Sequence, residues 1–235
     1  QDGATISATT ADSNSLAPPT GVVRLDGATL QIDSGQTVFA DGFEIASGNL
    51  NGAGVLTIGR PDGVSGGSAT WSGGTIGGDI KLDVASPSTL SLTGGTKYLG
   101  AATLNNSGVV NWLGGAIGQR ADSLITNKAG AVFNIASGNQ ELANYDTYSH
   151  LVTRFNNEVG GTLVKSGDSL GLTTTYLGNA YVGSSYVNLN NDGLVDVQGG
   201  TLVVSGSPSI ASFSSGEFHT TSNGSGNPGP VLSLR

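Results

Sequence analysis

The chain has 235 residues, of which 39 are glycine and only 11% are charged, and its formal net charge is −8. Its nine lysines and arginines form no basic cluster, so the charge pattern expected of a protein that binds nucleic acid or anionic lipid is missing. No apolar run approaches the roughly 20 residues that span a bilayer. The absence of cysteine excludes a disulfide framework and a thiolate metal site. We therefore expect neither nucleic-acid binding nor membrane insertion.

Residues 1–20, QDGATISATTADSNSLAPPT, are predicted to form a polar N-terminal arm. From residue 21 onward, short runs alternate between apolar and polar residues and are bounded by Gly, Asn, Asp or Ser. This two-residue period is typical of β-strands about 4–6 residues long. Examples in chain order are GVVRLDGATLQIDSG (21–35), GVLTIG (54–59), TLSLTGG (89–95), AVFNIASG (131–138) and GTLVVSG (200–206). A helical stripe persists almost nowhere, so the sequence predicts an all-β protein.

The strand pattern recurs along the chain. Apolar anchors are separated by 25, 30, 24, 21, 30 and 34 residues, and in chain order they are Leu25, Leu50, Ile80, Leu104, Ile125, Phe155 and Leu189. A period of about 20–50 residues indicates a repeat architecture. We therefore predict a parallel β-solenoid of about 6–8 irregular coils over residues 21–212, with a twisted β-sandwich of Asn-Gly hairpins as the alternative. The predicted stack of equivalent inward residues contains Leu50, Leu104, Ile125, Phe155 and Leu189.

A repeated asparagine marks one corner of the predicted coil. Its copies read LNNSG (104–108), ITNKAG (125–130), FNNEVGG (155–161) and LNNDG (189–193). Asparagine and glycine tolerate the left-handed backbone of tight corners. Stacked amides can also hydrogen-bond from one coil to the next, as in cross-β sheets. The predicted structural ladder consists of Asn106, Asn127, Asn157 and Asn191.

Two stretches, residues 139–154 and 171–188, interrupt the repeat and are predicted to be excursions from single coils. Leu142, Tyr145 and Leu151 suggest one or two helical turns in the first. Five of the six tyrosines fall between residues 145 and 186, so neighbouring coils are expected to share an aromatic surface. Tyrosines suit a contact with sugar or with another subunit; alternatively, they pack against the side of the solenoid. The predicted contact surface contains Tyr145, Tyr148, Tyr176, Tyr181 and Tyr186.

Residues 213–235 are predicted to be a Gly/Ser-rich C-terminal segment, because residues 207–230 have the composition of a linker. A solenoid exposes unpaired strand edges at both ends, and the sequence contains no convincing polar capping repeat. We therefore expect other copies of this chain to add to those edges, giving a homo-oligomer or a filament.

The segments TLNNSGVVNWLGG (103–115), ITNKAGAVFNI (125–135), FNNEVGGTLVKSG (155–167) and LNNDGLVDVQGGTLVVSG (189–206) resemble the degenerate repeats of very large bacterial surface and secreted proteins. These include filamentous-haemagglutinin-like adhesins and autotransporter passengers. The resemblance covers about residues 50–206 and implies a right-handed parallel β-helix with an extracellular location. It implies no activity, because such repeats share no catalytic residues. The absence of cysteine and methionine suits the same location.

Signals for catalysis are weak. His150 and His219 lie in no recognisable triad context, and the spacing of Asp192 and Asp196 does not force two carboxylates to converge. We expect no enzymatic activity, no cofactor and no metal site. The sequence predicts a structural extracellular solenoid that associates end to end into a surface fibre, matrix or adhesive stalk. A carbohydrate-binding adhesin segment is the alternative, and a polysaccharide-degrading enzyme is less favoured.

Overall fold

A computed structural model describes residues 5–8, 22–60, 63–120, 122–136, 138–145, 153–167, 172–178, 186–207, 212–221 and 229–235. Within these residues the chain forms 26 strands, and no helix is present that is long and apolar enough to cross a membrane. In chain order the strands are β1 (Thr5–Ala8), β2 (Val23–Leu25), β3 (Thr29–Ile32), β4 (Thr37–Ala40), β5 (Gly42–Ile45), β6 (Asn49–Gly52), β7 (Val55–Ile58), β8 (Ser68–Trp71), β9 (Thr75–Ile76), β10 (Lys81–Val84), β11 (Thr89–Leu92), β12 (Lys97–Gly100), β13 (Thr103–Asn106), β14 (Val109–Trp112), β15 (Ile117–Arg120), β16 (Leu124–Asn127), β17 (Val132–Ile135), β18 (Gln140–Asn144), β19 (Arg154–Asn157), β20 (Thr162–Lys165), β21 (Thr174–Leu177), β22 (Asn188–Asn191), β23 (Leu194–Val197), β24 (Thr201–Val204), β25 (Glu217–Thr220) and β26 (Val231–Leu234).

The strands form three parallel sheets that wrap around one core. Sheet A has the order β1-β3-β6-β9-β12-β15-β18-β21-β24-β26, sheet B the order β2-β5-β8-β11-β14-β17-β20-β23-β25, and sheet C the order β4-β7-β10-β13-β16-β19-β22. From β4 to β24 the chain passes through sheet C, sheet B and sheet A in turn, and repeats this path seven times. The predicted parallel β-solenoid is therefore confirmed.

Every strand pair in the described part of the chain is parallel, so the alternative of a sandwich built from hairpins is wrong. Within a strand, successive side chains alternate between the core and the outer face. Trp71 and Trp112 are fully buried on the inner side of sheet B. Phe133 of sheet B meets Phe155 of sheet C edge to face, with ring centroids 5.0 Å apart. This aromatic pair joins two sheets across the core.

The predicted stack of apolar anchors is right for its last four members and wrong for Leu50. The register partners in sheet C are Leu56, Leu82, Leu104, Ile125, Phe155 and Leu189. Leu50 lies in sheet A and Leu25 lies in sheet B. Strands of all three sheets share the same alternation and the same glycine-rich borders. Spacing along the chain therefore does not reveal to which sheet a strand belongs.

The stack also continues through segments whose composition predicts an interruption. Residues 140–144 form β18 instead of helical turns, and Leu142 is the inward register partner of Ile117. Strand β21 lies inside the second predicted excursion, and β22 begins at its last residue, Asn188. Residues 146–152 of the first excursion, and residues 171 and 179–185 of the second, lie outside the described residues.

Strands are present at both ends of the chain beyond the predicted solenoid boundaries. In the predicted N-terminal arm, β1 pairs with β3. In the predicted C-terminal segment, β25 pairs with β23 and β26 pairs with β24. A polar segment can extend a parallel sheet because its backbone groups pair with the adjacent coil whatever its side chains are.

Candidate functional site

The four predicted ladder asparagines lie one above another at the corner where sheet C leads into sheet B. Bonds from Nδ2 to Oδ1 of the next asparagine join Asn106 to Asn127 at 2.9 Å, Asn127 to Asn157 at 2.8 Å, and Asn157 to Asn191 at 2.7 Å. The second N–H of the first three amides donates, over 2.9–3.0 Å, to the carbonyls of Val132, Thr162 and Leu194 in the following coil. All four side chains are buried. The ladder thus supplies the hydrogen bonds that buried amides require.

The glycine after the asparagine is required by the close approach of neighbouring coils. The Gly108 N–H donates to Asn106 Oδ1 at 3.1 Å. A Cβ at Gly108 would collide with the Ser88 carbonyl oxygen, and a Cβ at Gly193 would collide with the Gly161 carbonyl oxygen. In these two copies the asparagine–glycine motif therefore reflects two needs, an amide that bridges coils and a backbone that leaves no room for a side chain. In the copy at residues 125–130, a Cβ at Gly130 would meet no atom within 4 Å, and the φ of +75° is what favours glycine there.

A lysine is buried at the corner where sheet B leads into sheet A. Lys97 has no solvent exposure. Its ammonium group donates to the backbone carbonyls of Thr93, Gly95 and Gly114 at 2.6, 2.8 and 3.0 Å. Burial lowers the pKa of Lys97 from 10.5 to about 8, because the charged form loses its hydration. The three carbonyls replace part of that hydration.

A second lysine, Lys165, is equally buried three coils further along, at the same corner. The acceptors of its Nζ include Ser166 O at 2.6 Å, Ala136 O at 3.4 Å and Thr173 Oγ1 at 3.4 Å. The Trp112 indole N–H donates to the Gly115 carbonyl of this corner at 2.8 Å. The corner therefore turns carbonyls inward and buries donors to meet them. Both ammonium groups are shielded from solvent and link parts of the backbone through their hydrogen bonds.

The alternation could have located Lys165 from the sequence, because it stands two residues after the inward Leu163 and so shares its face. The same signal is present for Lys97, which stands two residues before the inward Leu99 and shares its face.

An aromatic cluster lies on the outer face of sheet A. The rings of Tyr98 and Tyr145 meet edge to face, with centroids 6.1 Å apart. The Arg120 guanidinium carbon lies 4.4 Å from the Tyr98 ring centroid, which is a cation–π contact. Gly118 lies beneath the rings, since a Cβ there would meet both of them. Tyr145 is 43% exposed, and burial raises its pKa, with further contributions from the Glu141 charge and from Tyr98.

The predicted tyrosine surface is only partly brought together. Tyr145 belongs to the cluster, and Tyr176 lies on the same outer face as the register partner of Glu141. Tyr186 lies elsewhere, two residues before β22, where its carbonyl accepts a hydrogen bond from Thr153 Oγ1 at 2.8 Å. The other two members, Tyr148 and Tyr181, lie outside the described residues.

The predicted surface lacks two members of the cluster, Tyr98 and Arg120. Tyr98 contacts Tyr145 and Arg120 contacts Tyr98 because β12, β15 and β18 are neighbours in sheet A, although each lies one coil from the next. The sequence signal that could have placed Tyr98 in the cluster is the repeat, because Tyr98 and Gly118 occupy equivalent positions of successive coils.

The ends of the three sheets form a further candidate site. Within the described residues, the terminal strands are β1 and β26 in sheet A, β2 and β25 in sheet B, and β4 and β22 in sheet C. A single bridge between Asn191 and Ser214 lies beyond β22. Six of the eleven exposed large apolar side chains of the described residues lie at these ends, which are thus the most apolar part of the surface. They are Val22, Val23, Phe39, Phe213, Val231 and Leu234.

In the part of the chain that the structure describes, no group of three or more His, Cys, Asp or Glu side chains is placed to hold a metal ion. His219 pairs with Glu217 at 3.1 Å on the exposed side of β25. His150 lies outside that part of the chain. Comparison with protein-family models, curated proteins and solved structures finds no match. Function is therefore inferred from the surfaces of this chain.

We predict that Asn127→Ala lowers the free energy of unfolding by about 3 kcal/mol or more. It removes the ladder partners of Asn106 and Asn157 and the donor to the Thr162 carbonyl, and each unpaired buried group costs about 1–3 kcal/mol. Urea unfolding followed by circular dichroism measures the change. The control is Asn134→Ala, which removes a half-buried amide bonded to Asn111 at 2.9 Å and should cost less than about 1 kcal/mol. Equal losses would contradict a special role for the buried ladder.

We also predict that Lys97 makes stability rise with pH between about 8 and 10.5. In that window the unfolded chain holds a proton at Lys97 that the folded chain has released, so raising the pH favours the folded chain. The free energy of unfolding should increase by up to about 3 kcal/mol relative to Lys97→Met. The exposed Lys81→Met control should follow the wild type. Parallel wild-type and Lys97→Met curves would contradict the lowered pKa.

Proposed function

We propose that this chain is an extracellular structural protein whose solenoids join end to end, by strand addition, into a surface fibre, matrix or adhesive stalk. The repetitive parallel β-solenoid fits a structural repeat protein. One observation supports end-to-end association in particular. The core-facing apolar residues that are packed on the core yet remain partly exposed all belong to terminal strands. They are Val38, Ala40, Phe218 and Leu232.

A second copy stacked on either end would cover these side chains and continue the sheets. In β4, the carbonyls of Gln36 and Ala40 accept hydrogen bonds from the coil of β7. Because successive residues of a strand point their backbone groups to opposite sides, Phe39 directs its N–H and C=O away from β7. Such unpaired groups can accept a further strand. Contact between two different ends builds a filament when the rotation between subunits does not close.

The extracellular location is supported by composition and by resemblance. The chain contains neither cysteine nor methionine, so it offers no sulfur side chain to oxidation. Its asparagine–glycine repeats resemble those of bacterial adhesins. A stack of coils that contact only their neighbours is also a suitable spacer, because length grows with the number of subunits while the cross-section stays constant.

We predict that charge at a terminal edge prevents this association. The wild type should form elongated oligomers whose size increases with concentration, as measured by sedimentation velocity and electron microscopy. Phe39→Lys places an ammonium group at the edge of β4, where a stacked copy would have to desolvate it. It should weaken association at least tenfold, which corresponds to about 1.4 kcal/mol.

The matched control is Val159→Lys, which makes a similar change at a side chain 72% exposed on a turn within the stack. This variant should associate like the wild type. A wild type that stays monomeric at high concentration would overturn end-to-end assembly, and equal effects of the two substitutions would show that the edge of β4 is not involved.

The aromatic cluster favours a second candidate function, the binding of a carbohydrate. Exposed tyrosine rings offer an apolar face to a sugar ring, and the nearby Arg120 and Glu141 offer a donor and an acceptor for its hydroxyl groups. If this function is correct, glycan-array binding should fall at least tenfold in Tyr145→Ala and persist in Leu172→Ala, a control whose side chain is 69% exposed. Binding that survives Tyr145→Ala would exclude the cluster as the site.

A further inference from the structure

The outer face of sheet B carries no charge over five consecutive strands, β8, β11, β14, β17 and β20. In each strand the first and third residues point outward. These ten residues, which we call the neutral face, are Ser68, Thr70, Thr89, Ser91, Val109, Asn111, Val132, Asn134, Thr162 and Val164. A charge-free face of this extent is notable in a chain whose net charge is −8.

The other outer faces differ from the neutral face. Sheet C carries outward charges at Lys81, Asp83 and Arg154. Sheet A carries Arg120 and Glu141. Sheet B itself becomes charged again on both sides of the neutral face. The flanking charged residues are Arg24 and Glu44 towards the first coil and Asp196 and Glu217 towards the last.

The neutral face is also stiff. Six of its ten side chains are β-branched Thr or Val and the rest are Ser or Asn, so no long flexible side chain is present among them. Asn134 Nδ2 donates to Asn111 Oδ1 at 2.9 Å, which holds the two amides together. Covering such short or β-branched side chains costs little conformational entropy. The face is therefore suited to contact with another flat surface.

We propose that the neutral face is a self-recognition surface through which two copies of this chain pack side by side, sheet B against sheet B. Two chains of the same negative charge repel each other, and this repulsion is weakest where neither presents a charged group. Each copy brings the same flat face, so a two-fold axis satisfies both. Sheets pack face to face about 10 Å apart. No aromatic side chain is present in the neutral face to stack on a sugar ring, which favours a second copy over a glycan.

The size of the face sets the strength of the contact. Five strands about 4.8 Å apart span roughly 20 Å, so each copy buries a few hundred Å², below the roughly 800 Å² per partner of a standard stable interface. Pairing of single chains is therefore weak. If solenoids also join end to end, the face repeats along the filament and the contacts add. That bundling rests on the proposed function, whereas the pairing itself does not.

The test compares two matched double variants in the Phe39→Lys background, where end-to-end association is expected to be weakened. Thr89→Lys with Thr162→Lys places two charges in the neutral face. Thr29→Lys with Thr201→Lys places two charges on the outer face of sheet A. Both pairs reduce the net negative charge equally, so a loss of pairing confined to the first pair cannot come from overall repulsion.

Sedimentation equilibrium and small-angle X-ray scattering provide the measurements. We expect weak dimers that are wider but no longer than the monomer. The association constant should fall more than tenfold in Thr89→Lys/Thr162→Lys and stay unchanged in Thr29→Lys/Thr201→Lys. Circular dichroism confirms that each variant is folded, and Thr162→Lys alone serves if the double variant is not. Absence of dimers, or dimers that persist with charges in the neutral face, would overturn the proposal.

Two further outcomes separate this inference from its competitors. Co-sedimentation of a monomeric chain with insoluble cellulose or chitin, lost in Thr89→Lys/Thr162→Lys, would assign the face to a polymer and overturn self-recognition. Chains with Phe39 intact that form single filaments without lateral pairing would sink this inference and leave the proposed function standing. Lateral dimers that form without filaments would support self-recognition through the neutral face and contradict end-to-end assembly.

Discussion

Parallel stacking in register is the constraint on which the other features of this molecule depend. Each residue lies beside its equivalent in the next coil, so an inward apolar side chain meets another apolar side chain. An inward polar group is cut off from water and must find its partner within the same coil or a neighbouring one. The asparagine ladder meets this need by pairing like with like. The buried lysines meet it with carbonyls that the corner turns inward.

The same stacking organises the outside of the solenoid. Equivalent positions of successive coils form continuous columns, so a small chemical preference at one position becomes an extended surface. The neutral face of sheet B arises in this way, from Ser, Thr, Val and Asn at two positions of five coils. The Tyr98–Tyr145 cluster also arises from neighbouring coils. The distinctive surfaces of a solenoid are therefore stripes along its sheets and the edges at its two ends.

Local patterns predicted the elements well because the signals are local. Alternation marks strands such as β11 and β20, and the asparagine–glycine repeat marks one corner. The local sequence is nearly the same around each of the four ladder residues, Asn106, Asn127, Asn157 and Asn191, so their common position could be predicted. The boundaries at residues 20 and 212 could not be predicted from composition, because the backbones of β1, β25 and β26 pair with the adjacent coil although the segments around these strands are polar or linker-like.

The amino-acid sequence alone determined the all-β class, the repeat and the asparagine ladder, since each depends on residues close together in the chain or on a sequence motif that recurs. Tertiary structure alone decided that Leu50 belongs to another sheet than Leu104, and that Tyr98 and Arg120 join Tyr145 in one cluster. These outcomes depend on coil length and corner geometry. Corners vary in length from one coil to the next, and each variation changes which distant side chains become neighbours.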